Sequence, residues 1–260
     1  MEKITKSQVK LVKSLQLKKF RDELGLFVAE GDKCVSELEK GFELVYRVQS
    51  TEYRVQNTEY RKQTNSLLAS PKEIEQMSGL KTPQGVIGVF KKRVNGLVDE
   101  GISGDLVLAL DGVQDPGNLG TIIRTCDWFG VHDIYCSLDT ADCYNPKVVQ
   151  ATMGALARVR IHYVDLPQWL TELKIKNEEL KIYGTLLDGK NMYEIVESQK
   201  SKDKSGIIIM GNEGNGISQE VRELITHPIC IPSYPKNVET SESLNVSIAT
   251  AIVLAEFRRV

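Results

Sequence analysis

The chain has 260 residues, of which 41% are hydrophobic and 26% charged, a composition that is typical of globular proteins and excludes a disordered or low-complexity chain. Its formal net charge of −2 argues against strong nucleic-acid binding by the chain as a whole. No run reaches the roughly 18 apolar residues of a membrane helix, and the polar, basic start is unlike a signal peptide, so we expect a cytoplasmic protein that does not enter a membrane.

The cysteines and histidines are not spaced as they are in metal-binding or redox motifs. The five cysteines form no CxxC pair and leave one over, which is typical of reduced, buried thiols in a cytosolic protein. The three histidines lack the spacing of zinc ligands. We therefore expect no metal site, and we expect Trp128 and Trp169 to lie in the core or at an interface.

The N-terminal third is more basic than the rest. Residues 1–93 carry 18 Lys and Arg against 12 Asp and Glu, whereas the remainder carries 15 against 23. Apolar residues at helical spacing among the lysines of 4–24 predict an amphipathic helix in two pieces with a basic outer face. Such a face is most often merely solvated, but it could also contact nucleic-acid phosphates.

Three copies of a heptapeptide follow. Residues 46–52 (YRVQSTE) are echoed by 53–59 (YRVQNTE) and in part by 60–65 (YRKQTN). The copies lack apolar residues at both seam positions of a heptad, which argues against a coiled coil, and they are too short for a solenoid. We interpret them as a tandem duplication that lengthened a surface connection. Stacking of their Tyr and Arg side chains on RNA bases is the alternative.

Turn and cap signals place the other elements of a first domain. We predict strands near 26–30, 44–48 and 85–90, and helices near 33–40 and 71–79. Residues 94–104 hold three glycines and no clear period, which predicts a linker. It would join a small α/β domain over 1–93 to a second domain over 105–260.

The second domain alternates strands with helices, which indicates a mostly parallel sheet. The predicted strands are 106–111, 134–136, 159–162, 182–187 and 207–210, and the predicted helices are 121–129, 146–153, 166–173 and 245–258. Open α/β sheets bind ligands in the loops at strand ends. The loop 112–120 lacks both the GK[ST] of a P-loop and the GxGxxG of a dinucleotide fold, which excludes both nucleotide sites.

Three segments of this domain together resemble the motifs of one enzyme family. They are 118–125 (NLGTIIRT), 211–218 (GNEGNGIS), and 231–232 (IP) followed by 243–249 (SLNVSIA). In order and rough spacing they resemble the SpoU family of RNA ribose 2′-O-methyltransferases, of the SPOUT class, over 105–260. The first domain resembles, more loosely, the family's L30e-like substrate-binding domain at 27–31 (FVAEG). The resemblance implies an α/β fold in which a mostly parallel sheet with a deep trefoil knot follows a small L30e-like α/β domain.

The resemblance also implies a cofactor, a substrate and a partner. Family members are homodimers that transfer a methyl group from S-adenosyl-L-methionine to a ribose 2′-hydroxyl of transfer or ribosomal RNA, without a metal, and leave S-adenosyl-L-homocysteine. The positions implied to bind the cofactor are Thr185, Leu186, Gly211, Asn212, Glu213, Gly216, Ile231, Pro232, Leu244 and Asn245. Glycines let backbone approach a ligand, and Ile231 and Leu244 could enclose an adenine.

Catalysis is implied for five positions, Arg124, Asn118, Glu213, Ser243 and Asn245. Because a guanidinium stays protonated in proteins, we expect Arg124 to bind the neighbouring phosphate and stabilise charge on the ribose oxygen, not to act as the base. The proton would leave through phosphate, Glu213 or water. Ser243 and Asn245 could instead simply cap the following helix.

Two other functions stay open. One is a catalytically silent RNA-binding protein that retains the knot, and the intact Asn118, Arg124, Glu213 and Asn245 argue against it. The other is a methyltransferase that acts on a base or a protein, although the arginine in the first motif favours ribose. The polar segment 233–243 is longer than is usual in the family. The resemblance therefore does not define the structure of the active-site rim.

Overall fold

The computed structural model describes residues 2–52, 65–93, 106–198, 205–235 and 241–259. The predicted linker at 94–104 lies outside the described residues, as does 53–64, which holds most of the second and third heptapeptide copies. Contacts divide the chain into two compact units. The first comprises Met1–Val94 with Asp142–Arg158, and the second comprises Asn95–Ala141 with Val159–Val260.

The described residues form strands and helices in the following order. The strands are β1 (Glu2–Lys3), β2 (Leu26–Glu30), β3 (Leu44–Ser50), β4 (Ser66–Ala69), β5 (Val86–Lys91), β6 (Leu106–Leu110), β7 (Asp133–Ser137), β8 (Arg160–Val164), β9 (Ile182–Asn191), β10 (Gly206–Met210) and β11 (His227–Cys230). The helices are α1 (Lys6–Ser14), α2 (Lys18–Leu24), α3 (Asp32–Leu38), α4 (Pro71–Met77), α5 (Pro116–Trp128), α6 (Pro146–Thr152), α7 (Leu166–Lys176), α8 (Met192–Ser198), α9 (Gln219–Arg222) and α10 (Val246–Phe257).

The first unit is a mixed five-stranded sheet, in the order β1-β4-β3-β5-β2. The predicted two-piece helix is confirmed as α1 and α2. Thr5 begins α1 with reciprocal hydrogen bonds: its side chain accepts from the backbone N–H of Gln8, whose side chain accepts from the N–H of Thr5. The apolar face of α1 is buried at Val9 and Val12 in the core of this unit, and the lysines of α1 are exposed.

Residues 46–50 of the first heptapeptide copy lie within the sheet, in β3. The strand predicted at 44–48 is confirmed and runs on to Ser50. Arg47, in this copy, is fully buried and pairs with Asp32 of α3 and, at 3.4 Å, with Glu39. A buried guanidinium requires such partners, so this member of the repeat serves the fold.

The segment Asp142–Arg158 packs in the first unit, although it lies far along the chain. The buried guanidinium of Arg21 pairs with Asp142 at 2.7 Å, between residues 121 positions apart. The ring of Tyr144 lies 4.8 Å from that of Phe27. These contacts anchor the loop that precedes α6 to α2 and β2.

The second unit is a six-stranded sheet in the order β11-β9-β10-β6-β7-β8, and every pairing in it is parallel. The predicted parallel α/β sheet is thus confirmed. Its central strands β6 and β10 are buried along their whole length, as expected for strands covered on both faces. Helices α5 and α10 pack against each other.

Helix α5 begins earlier than predicted. We expected a loop over 112–120 and a helix from Thr121, but the helix starts at Pro116. The Asp115 carboxylate accepts a hydrogen bond of 2.8 Å from the N–H of Asn118, and Pro116 takes the first helical position, where its missing N–H does no harm. Asn118 therefore lies in the first turn of the helix, and Arg124 lies more than two turns from its start.

The two tryptophans have different environments. Trp169 stacks on Tyr135 with ring centroids 4.0 Å apart, as expected of a packed residue. Trp128, at the end of α5, is 85% exposed. The core position predicted for it is wrong, and an interface position stays a prediction.

Within the described ranges, none of the helices combines the length and the apolar character needed to cross a bilayer.

Candidate functional site

The candidate site lies where the loops after β6 and β10 leave the sheet. These strands are parallel neighbours with Leu110 opposite Met210, so Asp111 and Gly211 emerge side by side. Strand β9 flanks β10 on its other edge. The carboxyl ends of adjacent parallel strands are where α/β sheets place ligand-binding loops.

The loop after β10 is a tight turn. Asn212 and Gly216 exchange two backbone hydrogen bonds of 2.9 Å, and the side-chain oxygen of Asn212 accepts from the N–H groups of Gly214 and Asn215 at 2.8 and 3.1 Å. A Cβ at Gly211 would lie 2.4 Å from the carbonyl carbon of Gly216. Only glycine permits this approach, so the backbone at Gly211 lies directly against the backbone at Gly216.

Two hydrogen bonds tie this loop to the loop after β6. The side-chain amide of Asn212 donates to the carbonyl of Gly112 at 2.7 Å. The backbone N–H of Ser218 donates to the Asp111 carboxylate at 2.7 Å. The N–H of Gly112 in turn donates to the buried hydroxyl oxygen of Ser137 at 2.8 Å. Together these bonds determine how the two loops lie relative to each other.

Three of the predicted catalytic side chains form one hydrogen-bonded chain, here called the Asn–Glu–Asn chain. Asn118 Nδ2 donates to Glu213 Oε1 at 2.5 Å, and Asn245 Nδ2 donates to Asn118 Oδ1 at 3.0 Å. Asn245 Oδ1 also accepts from the N–H groups of Ser247 and Ile248, so it caps α10. The helix-capping role considered for Asn245 is therefore confirmed, and the residue reaches Asn118 as well.

The other two predicted catalytic residues do not join this chain. Arg124 is exposed on α5 and forms no hydrogen bond or ion pair with any residue that the structure describes. Ser243 is exposed ahead of α10, and it too makes no hydrogen bond within the described part of the chain. An exposed guanidinium of this kind is available to bind an anion such as phosphate.

Strand β9 is irregular where we predicted cofactor contacts. Gly184 pairs with Pro228 on β11, whereas Lys190 pairs with the next residue, Ile229. The five residues 185–189 therefore leave the ladder between these two pairs. The predicted end of the strand at 187 is wrong, because the chain rejoins β11 after this excursion and continues to Asn191.

The remaining predicted cofactor residues are placed as follows. The hydroxyl of Thr185 donates to a backbone carbonyl of β10 at 3.0 Å, and Leu186 packs on the apolar cluster of the second unit. Ile231 and Pro232 are half-buried directly after β11. Leu244 is 46% exposed beside the Asn–Glu–Asn chain, so its apolar surface is accessible to a ligand.

A second polar cluster lies at the opposite, amino-terminal ends of β7 and β8. Asp133 accepts from His162 Nε2 at 2.9 Å and from Arg160 Nε at 2.7 Å. Burial by itself raises the pKa of the Asp133 carboxyl, but hydrogen bonds from His162 and Arg160 outweigh burial and hold that pKa well below its usual range. No predicted site residue lies here, and we assign the cluster to stability.

Among the described residues, no three His, Cys, Asp or Glu side chains are grouped so as to hold a metal ion. The five cysteines are free thiols, and four of them are buried. Burial raises the pKa of the Cys34 thiol to about 11, which leaves it protonated and unreactive at neutral pH.

Sequence reasoning missed three residues that shape the site: Asp111, Asp115 and Ser218. The Asp-Pro pair at 115–116 is a local helix-start signal and could have been found. The bond between Asp111 and Ser218 spans 107 positions, and no local pattern announces it.

Comparison with known families matches both parts of the chain. Residues 105–255 match the SpoU rRNA methylase family, and residues 6–88 match the MRM3-like substrate binding domain. The first match covers more than half of the chain and includes all three motif segments of the second domain.

Individual proteins match along nearly the whole length. The 23S rRNA (guanosine(2553)-2′-O)-methyltransferase RlmP of Bacillus subtilis is 30% identical over 259 residues, which is 99% of this chain and 98% of the relative. An AdoMet-bound rRNA methyltransferase structure from Sinorhizobium meliloti is 30% identical with a TM-score of 0.81, over 100% of this chain and 97% of that one. A chain from Porphyromonas gingivalis assigned to the TrmH family of RNA methyltransferases is 34% identical with a TM-score of 0.83, over 98% of both chains.

Proposed function

Because the chain belongs to the SpoU rRNA methylase family, we propose that it transfers a methyl group from S-adenosyl-L-methionine to a ribose 2′-hydroxyl of RNA. The observation that carries this proposal is the Asn–Glu–Asn chain beside the tight loop after β10. Side chains from three distant segments are held in hydrogen-bonded contact there. A protein that kept only the fold would have no need to preorganise these groups.

The loop after β10 has the properties that a nucleoside cofactor needs. The missing Cβ at Gly211 lets the main chain approach closely, and the two backbone hydrogen bonds between Asn212 and Gly216 hold the turn in a fixed shape. Ile231 and Leu244 offer apolar surface to an adenine ring. The cofactor, when bound, supplies a methyl group on a positively charged sulfur, which becomes the neutral thioether of S-adenosyl-L-homocysteine.

Arg124 is proposed to bind the phosphate next to the target ribose. It is exposed, and no described residue neutralises its charge. A fixed positive charge at that position also stabilises the negative charge that develops on the ribose oxygen as the hydroxyl loses its proton. Water and the exposed carboxylate of Glu213 are the candidate acceptors for this proton. Ser243, exposed and close in sequence to Asn245, is proposed to help position the RNA.

Ribosomal RNA is the proposed substrate class. The B. subtilis relative, named for 23S rRNA, matches nearly all of both chains. The first unit contains the match to a substrate binding domain, over residues 6–88, and this supports a role for that unit in holding RNA. Transfer RNA is the second candidate, since the family resemblance does not separate the two.

We also propose a homodimer and the trefoil knot of the family. Thr121, Arg124 and Trp128 share the exposed face of α5, and Ile248 of α10 is 53% exposed. An accessible tryptophan and isoleucine on two packed helices are suited to a second copy of this chain. Size-exclusion chromatography with light scattering on the wild type and on Trp128→Glu tests the dimer. A wild-type monomer would contradict it.

The proposed reaction is tested with labelled S-adenosyl-L-methionine and separate pools of ribosomal and transfer RNA, each digested to nucleosides afterwards. Label on a 2′-O-methyl nucleoside from ribosomal RNA is the expected result. Label on a base would refute the ribose assignment. Cofactor binding without transfer to either pool would favour a binding protein.

A further inference from the structure

Helix α1 of the first unit carries three lysines on one face: Lys6, Lys10 and Lys13, here called the lysine row. All three are exposed. At 3.6 residues per turn they fall within about 60° of the helix circumference, and the row is about 10 Å long. The apolar residues Val9 and Val12 are buried in the core of the unit, so α1 is held firmly and the row faces solvent.

The lysine row has no acidic partner among the described residues, and α1 contains no acidic residue at all. Four lysines elsewhere in the same unit are ion-paired, namely Lys18 and Lys92 with Asp22, Lys40 with Glu37, and Lys91 with Glu43. The row differs from single unpaired lysines because its three charges share one face of one helix. Like charges three and four residues apart repel each other and destabilise the helix that carries them. Functional sites are where proteins tend to keep a local conflict of this kind.

We propose that the lysine row binds the sugar–phosphate backbone of the RNA substrate, an inference that rests on the RNA methyltransferase function proposed above. One strand of duplex DNA carries a phosphate about every 3.4 Å along its axis, and at a comparable spacing in RNA the row can reach several phosphates. Ammonium groups on flexible stems neutralise phosphate without reading base edges. The row therefore supplies affinity and orientation, while the choice of nucleotide lies elsewhere.

A membrane surface fits this helix less well. Helices that lie in a bilayer interface insert an exposed apolar face, whereas the apolar face of α1 is already used in the core at Val9 and Val12.

The test replaces all three lysines of the row with glutamine in the full chain and measures binding to protein-free 23S ribosomal RNA between 50 and 200 mM salt. We expect the slope of log affinity against log salt to fall by about three, roughly one for each lost phosphate contact. The KM for RNA should rise about 10-fold or more while kcat at saturating RNA stays within about 2-fold. Because the repulsion is relieved, Tm should be unchanged or slightly higher.

A matched control removes the same three charges from ion-paired positions of this unit, as Lys18→Gln, Lys40→Gln and Lys91→Gln. It should change the salt slope by less than about one. The inference is overturned if the row variant binds like the wild type, or if the control loses as much affinity. If the wild type methylates RNA and the row variant binds and methylates RNA equally well, only this inference is refuted. A wild type that neither binds nor methylates RNA sinks the proposed function too.

Discussion

Asn118 and Glu213 are 95 positions apart, and their side chains meet at 2.5 Å. The amide of Asn118 donates to the carboxylate, while its oxygen accepts from Asn245. The side-chain amide of Asn118 therefore links the first motif segment, in which it lies, to the other two. A hydrogen bond to a charged acceptor is stronger than one to a neutral acceptor, so this residue is well suited to orient Glu213.

Replacing Asn118 separates its two contacts. Asn118→Asp keeps an acceptor for Asn245 but removes the donor to Glu213 and sets two carboxylates against each other. We expect methyl transfer to fall by about 10- to 100-fold, and further than in Asn118→Ala, because of that repulsion. Asn215→Asp, which adds the same charge to the exposed turn near Glu213, is the control. Wild-type activity in both the Asp and the Ala variant would argue that the orientation of Glu213 is unimportant.

Removing the guanidinium of Arg124 should separate chemistry from cofactor binding. In Arg124→Ala we expect methylation to fall by about 100-fold or more, because a fixed charge at the developing oxyanion is lost. Affinity for S-adenosyl-L-methionine, measured by calorimetry, should stay near that of the wild type. Arg222→Ala, which removes an exposed arginine paired with Asp188, is a suitable comparison. Parallel losses of binding and rate in Arg124→Ala would instead mark the arginine as structural.

The loop after β10 offers a steric test. In Gly211→Ala the new Cβ would lie 2.4 Å from the Gly216 backbone, so the turn must open. We expect cofactor affinity to drop at least about 10-fold, equivalent to about 1.4 kcal/mol. Gly214→Ala, in the same turn, meets only the Asn212 side chain at 3.5 Å, which is ordinary contact, and should bind nearly normally. Indistinguishable affinities for the two variants would rule out the loop as the cofactor site.

Acid should weaken the fold partly through Asp133. Burial opposes its ionisation, but hydrogen bonds from His162 and Arg160 hold the pKa of this carboxyl below its usual range. An unfolded aspartate titrates near about 3.9, so the stabilisation is fully present above that pH and is lost as the pH falls through the lower pKa of the folded state. In urea unfolding, the wild type should have a larger free energy of unfolding than Asp133→Asn at pH 7, and this difference should narrow below about pH 4.

The exposed pair of Asp188 with Arg222 provides the contrast for this measurement. Asp188→Asn should change the unfolding free energy by less than about 1 kcal/mol at any pH, because solvent screens surface ion pairs. If the difference in unfolding free energy between the wild type and Asp133→Asn does not change with pH, the residue stabilises the fold by packing alone.

Local patterns were sufficient for most elements of the fold. The apolar runs of β6 and β10, the two-piece basic helix at the N-terminus and the alternation of strands with helices each depend on side-chain periodicity over a few residues. The predicted start of α5 was wrong because the helix-start signal of an aspartate followed by a proline was not recognised. The cap at Asp115 and the proline after it start α5 five residues before the predicted Thr121.

The sequence by itself determined the family, the parallel α/β sheet and the identity of the motif residues, since these reside in short ordered segments. Only the tertiary structure decided that Asp142–Arg158 packs in the first unit, that Asp111 accepts from Ser218, and that Asn118 joins Glu213 to Asn245 while Arg124 stays apart. The physical reason is distance along the chain. A cap or a period acts within a turn of helix or a strand, whereas these contacts join residues about a hundred positions apart, which meet only when the sheet brings its strand ends together.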